Sequence, residues 1–123
     1  MINNFLQGID TLILRVADIE RSKNWYTQKL SFAVLHEDDI HKLAVLDTHG
    51  SVSITIWQTD EPIHINSKTA AYPIFRAANA REVHDHLLAQ GVSAGEIITD
   101  HAVTYFTFHD PDGNILEVCQ VHA

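Results

Sequence analysis

The chain has 123 residues, 46% apolar and 20% charged, which is the composition of one globular domain with a buried core. Sixteen acidic residues against eight basic ones leave a net charge of −8. Without a cluster of Lys and Arg, that balance argues against nucleic acid and against an anionic membrane surface. No apolar run approaches the ~20 residues that cross a bilayer. The N-terminal MINNFLQGID carries neither the basic nor the apolar part of a signal peptide. A single cysteine, Cys119, excludes an internal disulfide framework and suits a reducing cytoplasm. The expected partner is therefore a small molecule or a protein.

In chain order, Ile9 to Val16 reads as a short apolar strand, and Asp18 is placed to cap a following helix. In that helix Ile19, Ser22, Tyr26 and Leu30 recur at helical spacing and predict a buried stripe. Three strand-like stretches follow: Phe32 to His36, Lys42 to Leu46 and Val52 to Trp57. The last two are joined through the turn Asp47-Thr48-His49-Gly50. Gln58 to Thr69 is polar, contains Pro62 and reads as a linker.

The second half repeats the first. Leu14-Arg15 matches Phe75-Arg76, and Ala17-Asp18 matches Ala78-Asn79, at a constant offset of 61 residues. Asn79 followed by Glu82 resembles a capping box with Asn in the Ser/Thr place. Val83, Leu87 and Leu88 supply an apolar helix face, and Gly91 stands where a helix-ending residue is expected. Strands are predicted at Ile97 to Ile98, Val103 to His109 and Ile115 to Val121. Between the last two, Asp110-Pro111-Asp112-Gly113-Asn114 is a strong turn signal. The order is βαβββ, linker, βαβββ.

Two motifs carry a family resemblance. Near the start stand Asp18, Ser22, Trp25-Tyr26 and Leu30-Ser31-Phe32, and near the end Asp110-Pro111-Asp112-Gly113-Asn114 followed by Glu117. The whole chain thereby resembles the vicinal-oxygen-chelate superfamily of glyoxalases, bleomycin-resistance proteins and extradiol dioxygenases. Ser31 replaces the family's usual Gly. The resemblance implies an α+β fold over residues 1–123, with two tandem βαβββ modules forming curved mixed sheets around a cleft. It also implies a homodimer.

The resemblance sets the strand register, and alternation along each strand then divides the side chains. Leu12, Leu14 and Val16 fall under the first helix, whereas Thr11, Ile13 and Arg15 face the cleft. By the same division the cleft receives Ser53, Thr55 and Trp57; Tyr72, Ile74 and Arg76; and Ile115, Glu117 and Cys119. The family's metal-binding members place His and Glu ligands at positions that correspond to Thr11, Thr55, Tyr72 and Glu117. Only Glu117 is a good ligand, because neutral hydroxyls are poor donors to divalent transition metals. The inherited metal site reads as dismantled, and no cofactor is expected.

Glu117 can serve as a surviving metal ligand, as a general base with a raised pKa, as a hydrogen-bond acceptor for a bound ligand, or merely as the partner of a nearby Arg or of the linker. Arg15 and Arg76 suit an anionic substrate or, more plainly, pairing with surface acids such as Asp18. Trp57 and Tyr72 can stack on a planar or cationic ligand, or simply fill space. Of the nine histidines, His84 and His86 lie two apart on the second helix and do not share a face. His36, His41, His101 and His109 lie in or beside strands, His49 in a turn and His64 in the linker, with no ligand-like spacing. Cys119 reads as an inert strand residue. The expected function is metal-independent binding of a small molecule through Thr11, Arg15, Thr55, Trp57, Tyr72, Arg76 and Glu117. The alternative is a divalent-metal-dependent lyase, isomerase or dioxygenase acting on vicinal oxygens.

Overall fold

Asp18 and Asn79 start the two helices. In the computed structural model, which describes residues 3–123, both have extended backbone and cap the turn that follows. Asp18 Oδ1 accepts the N–H of Arg21 at 3.1 Å, and Asn79 Oδ1 accepts that of Glu82 at 3.1 Å. Helix α1 spans Ile19–Lys29 and α2 spans Ala80–Ala89. A second N-terminal amide of each is met from the far end of its own module. Gln58 Oε1 accepts from Ile19 N at 3.0 Å, and Gln120 Oε1 accepts from Ala80 N at 2.9 Å. At the end of α2, Gly91 has φ +80° and its N–H meets Leu88 O at 3.0 Å, a conformation that glycine adopts without Cβ strain.

The chain divides into two compact units, one ending at Asp60 and the other starting at Glu61. In the first, β1 (Thr11–Val16), β2 (Ala33–Asp38), β3 (Leu43–Asp47) and β4 (Ser53–Gln58) form a mixed sheet in the order β1-β4-β3-β2. Only the β1–β4 pair is parallel. Alternation gives one face Leu14, Val16, Ala44, Leu46, Ile54 and Ile56, all buried, and α1 packs on that face through Ser22 and Tyr26. The Tyr26 ring is fully buried and stacks near-parallel on Phe32 at 6.2 Å. A bulge between Val34 and His36 interrupts the β2–β3 register and leaves Leu35 62% exposed on the edge strand.

The second unit repeats the plan with β5 (Ile74–Arg76), β6 (Ile98–Thr99), β7 (Val103–His109) and β8 (Ile115–Val121), ordered β5-β8-β7-β6. Here β5–β8 is the parallel pair. Phe106, Phe108, Leu116 and Val118 are buried, as is Leu87 of the helix that packs on β7 and β8. The Phe106 ring meets the edge of His84 at 4.9 Å and tilts against Phe108 at 6.0 Å. Asp110 organises the β7–β8 turn. Its Oδ1 accepts from Asp112 N and Asn114 N, both at 2.9 Å, and its Oδ2 accepts from Asn114 Nδ2 at 2.8 Å. Gly113 takes φ +84° there.

The α+β class and the βαβββ order match the sequence expectation. Several details differ for local reasons. Phe32, Lys42 and Val52 lie just outside β2, β3 and β4. Gln58, read as the first linker residue, instead closes β4, where its side chain serves α1. Tyr72 precedes β5, because Pro73 has no N–H to give a ladder and pairing begins only at Ile74. Leu88 is 48% exposed, so the buried stripe of α2 runs through Ala80 and Leu87. Ile19 and Leu30 are half-buried, leaving Ser22 and Tyr26 as the buried residues of α1.

Candidate functional site

The helix covers one face of each sheet, and the opposite face holds every residue the sequence marks as a candidate on a strand. In the first sheet the pairing runs Ile13, Thr55, Val45, His36 across the four strands, so these side chains form one row on the open face. Ile13 is half exposed, while Thr55 is buried. Thr11 opens β1 two residues earlier, and the hydroxyls of Thr11 and Thr55 lie 2.8 Å apart. Thr11 Oγ1 also donates to Ser53 O at 3.2 Å. All these contacts are met when Thr11 donates to Ser53 O and accepts from Thr55, since each hydroxyl has one proton.

At the other end of β1, Arg15 is exposed and anchored rather than reaching outward. Its Nε donates to Trp57 O and its terminal nitrogen to Gln58 O, both at 3.1 Å. The guanidinium carbon lies 4.7 Å over the Trp57 ring, within cation–π distance. The indole Nε1 donates to His41 O at 3.0 Å. One face of Trp57 is therefore covered by Arg15, and the pair forms a preassembled flat surface at the sheet end.

In the second sheet the equivalent row is Ile74, Glu117, Thr107, with Arg76, Cys119, Tyr105 and Ile98 in the next. Ile13 pairs with Thr55 in the first sheet, and its repeat equivalent Ile74 pairs with Glu117, so Thr55 and Glu117 are structural counterparts. Glu117 is only 8% exposed. Its carboxylate makes no hydrogen bond or ion pair to any described residue, and burial pushes its pKa above the ordinary carboxylate value. The bland expectation of an arginine partner is thus not met: Arg76, on the same face, is exposed and forms no ion pair among the described residues. Tyr72 is half-buried ahead of β5.

The family positions do not suit a metal ion. In the first module they hold two neutral hydroxyls bonded to each other, and in the second a phenol and one carboxylate. Among the described residues no group of three or more His, Cys, Asp and Glu is gathered so as to hold a metal. Several histidines are held in local bonds: His41 Nδ1 with Asp38 Oδ2 at 2.7 Å, His49 Nε2 with Ser31 O at 2.8 Å, His84 Nε2 with Gly95 O at 2.9 Å and His122 Nε2 with Thr104 Oγ1 at 2.7 Å. His41 supports the turn that follows β2. Its backbone N–H, then its ring, hold the Asp38 carboxyl below the usual range.

A separate groove of about 330 Å³ lies between the start of α1 and the β2–β3 hairpin, and none of the predicted site residues lines it. Its central cation, Lys23, is already paired with Glu20 at 3.1 Å and Glu37 at 2.7 Å. Sequence reasoning passed over Tyr105 and Thr107, which share the open face with Glu117. The alternation in Val103–His109 carried that signal, because Phe106 and Phe108 mark the helix side and the residues between them must face away.

A protein-family model described as the Glyoxalase/Bleomycin resistance protein/Dioxygenase superfamily matches residues 8–118. No curated protein matches the sequence. Among solved structures, an integron cassette protein from the mobile metagenome of the Halifax Harbour sewage outfall superposes with a TM-score of 0.81 at 20% identity, covering 94% of this chain and 99% of that one. An antibiotic binding protein from a Streptomyces species gives 0.77 at 16% identity, over 96% and 98% of the two chains. A lactoylglutathione lyase from Agrobacterium tumefaciens gives 0.75 at 13% identity, over 94% of each. No described helix is long and apolar enough to cross a membrane.

Proposed function

The chain belongs to the Glyoxalase/Bleomycin resistance protein/Dioxygenase superfamily, and from that premise we propose that it binds a small organic molecule without a metal ion, on the open faces of its sheets. The observation that carries this reading is the Thr11–Thr55 hydroxyl pair at 2.8 Å. Two positions that would have to present ligands to a metal are neutral and bonded to each other, and among the described residues Glu117 belongs to no group of three or more His, Cys, Asp or Glu that could hold a metal. Thr11, Arg15, Thr55 and Trp57 are the contacts of the first face; Tyr72, Arg76 and Glu117 are those of the second. The fold is shared by an antibiotic binding protein and by a lyase. It supports either class, and the choice rests on the side chains.

The test is the transition-metal content of protein purified without chelator or affinity tag, followed by titration with zinc, nickel, manganese and ferrous iron. Less than about a tenth of an equivalent, with no tight uptake, is expected. Near-stoichiometric metal that is lost in Glu117→Ala refutes the proposal. The same reading takes the protein as a homodimer in the cytoplasm. Support for pairing comes from Phe5, Leu6 and Ile9, each more than 70% exposed near the N-terminus. A monomeric mass in solution scattering at micromolar concentration would sink that part.

A further inference from the structure

Resting on the small-molecule reading, we propose that the open face of the second sheet takes an organic cation, a protonated amine attached to an apolar body, with the ammonium against Glu117. Glu117 as a residue is only 8% exposed, and its carboxylate, whose oxygens keep an opening to solvent, has no partner among the described residues. A buried charge without a partner is costly, and the cost falls when a ligand brings the opposite charge or a hydrogen-bond donor. The surroundings define the rest of the ligand. Ile74, 57% exposed, lies beside Glu117 on one neighbouring strand and Thr107 on the other, with Ile115 and Cys119 two residues away along β8. Tyr105, paired with Cys119, adds an aromatic ring to the same face. One carboxylate with a hydroxyl and a nearby ring suits an ammonium, which is satisfied by charge, a few acceptors and a π face. It does not suit a metal ion, which needs several strong ligands.

The competing charge on this face is Arg76. It is exposed, so water and salt screen it, whereas the interaction at buried Glu117 is weakened much less. The net charge of −8 further favours the approach of a cation. Selection by Glu117 therefore outweighs selection by Arg76, and an anionic ligand is disfavoured.

Three size-matched probes test this: 2-phenylethylamine, 2-phenylethanol and 3-phenylpropionate, titrated into isotopically labelled full-length protein at neutral pH and followed by amide chemical shifts. The amine is expected to shift amides of β7 and β8 around Glu117 and to bind at least about tenfold more tightly than the alcohol. Glu117→Gln should bring amine and alcohol level, while Glu117→Asp, which keeps the charge, retains a preference for the amine. The retained dispersion of each spectrum shows that the variant is folded. Equal binding of amine and alcohol, tighter binding of the carboxylate, or a preference that survives Glu117→Gln overturns the cation assignment and leaves the small-molecule reading standing. If no probe shifts an open face of either sheet up to its solubility, both fall.

Discussion

The Thr11–Thr55 pair makes a quantitative prediction because its two members are not equivalent. Replacing Thr11 with Val removes the acceptor of the Thr55 hydroxyl, on a residue only 7% exposed. An unmet buried polar group costs about 1–3 kcal/mol, and Thr11→Val is expected to lose about 2 kcal/mol. Replacing Thr55 instead leaves Thr11 donating to Ser53 O at 3.2 Å. Only the net worth of one hydrogen bond is lost, about 0.5–1.5 kcal/mol. In the double variant both hydroxyls become methyls of nearly the same shape, and valine suits a strand, so its stability should return close to that of the parent. The two single losses then fail to add by about 3 kcal/mol. Urea unfolding monitored by tryptophan fluorescence measures all four proteins, with an unchanged m-value as the condition for comparison. Additivity to within about 0.5 kcal/mol would refute the pairing. The argument that these positions are closed to a metal would fall with it.

Two further expectations follow from burial. Phe106→Ala removes a fully buried ring between His84 and Phe108 and should cost about 3–5 kcal/mol; a thermal midpoint unchanged from the parent would contradict the packing described. Burial raises the folded pKa of Glu117, so the unfolded chain sheds this proton first, and the parent loses stability as pH rises from below the ordinary carboxylate value through the raised one. Relative to the parent, Glu117→Gln should gain in urea midpoint as pH rises from the ordinary carboxylate value and level off above the raised one, and a difference that stays constant with pH refutes it.

Much of the architecture was legible because the chain states it twice. The 61-residue offset between Asp18 and Asn79 holds in the structure, where the helices begin at Ile19 and Ala80 and the two caps are made by the same geometry. The open-face assignments of Thr11, Thr55 and Glu117 also follow from alternation once the register is fixed. What was not legible depends on long-range partners. Nothing local in Trp57-Gln58 says that the glutamine caps a helix beginning 39 residues earlier. Nor does sequence reveal that Arg15 spends its donors on the carbonyls of Trp57 and Gln58, or that Glu117 is left without a partner. The shortness of β5 was visible in Pro73, whose missing N–H outweighs the apolar pattern around it.

Each sheet is closed by pairing its first strand with its last, Thr11 with Ser53 in one and Ile74 with Glu117 in the other. Neither sheet can therefore be completed by growth from one end. The central position beside the opening strand stays vacant until the final strand is delivered, and with it the glutamine that caps the helix. During synthesis the first module has all its strands once Gln58 has left the ribosome, before any strand of the second is made. The second must wait for Val121, so Phe106 and Phe108 emerge before β8 can pair with their strand. Assembly is thus ordered by translation. A stop codon before Ile115 would spare the first module and deprive the second of both its closing strand and the helix cap at Gln120.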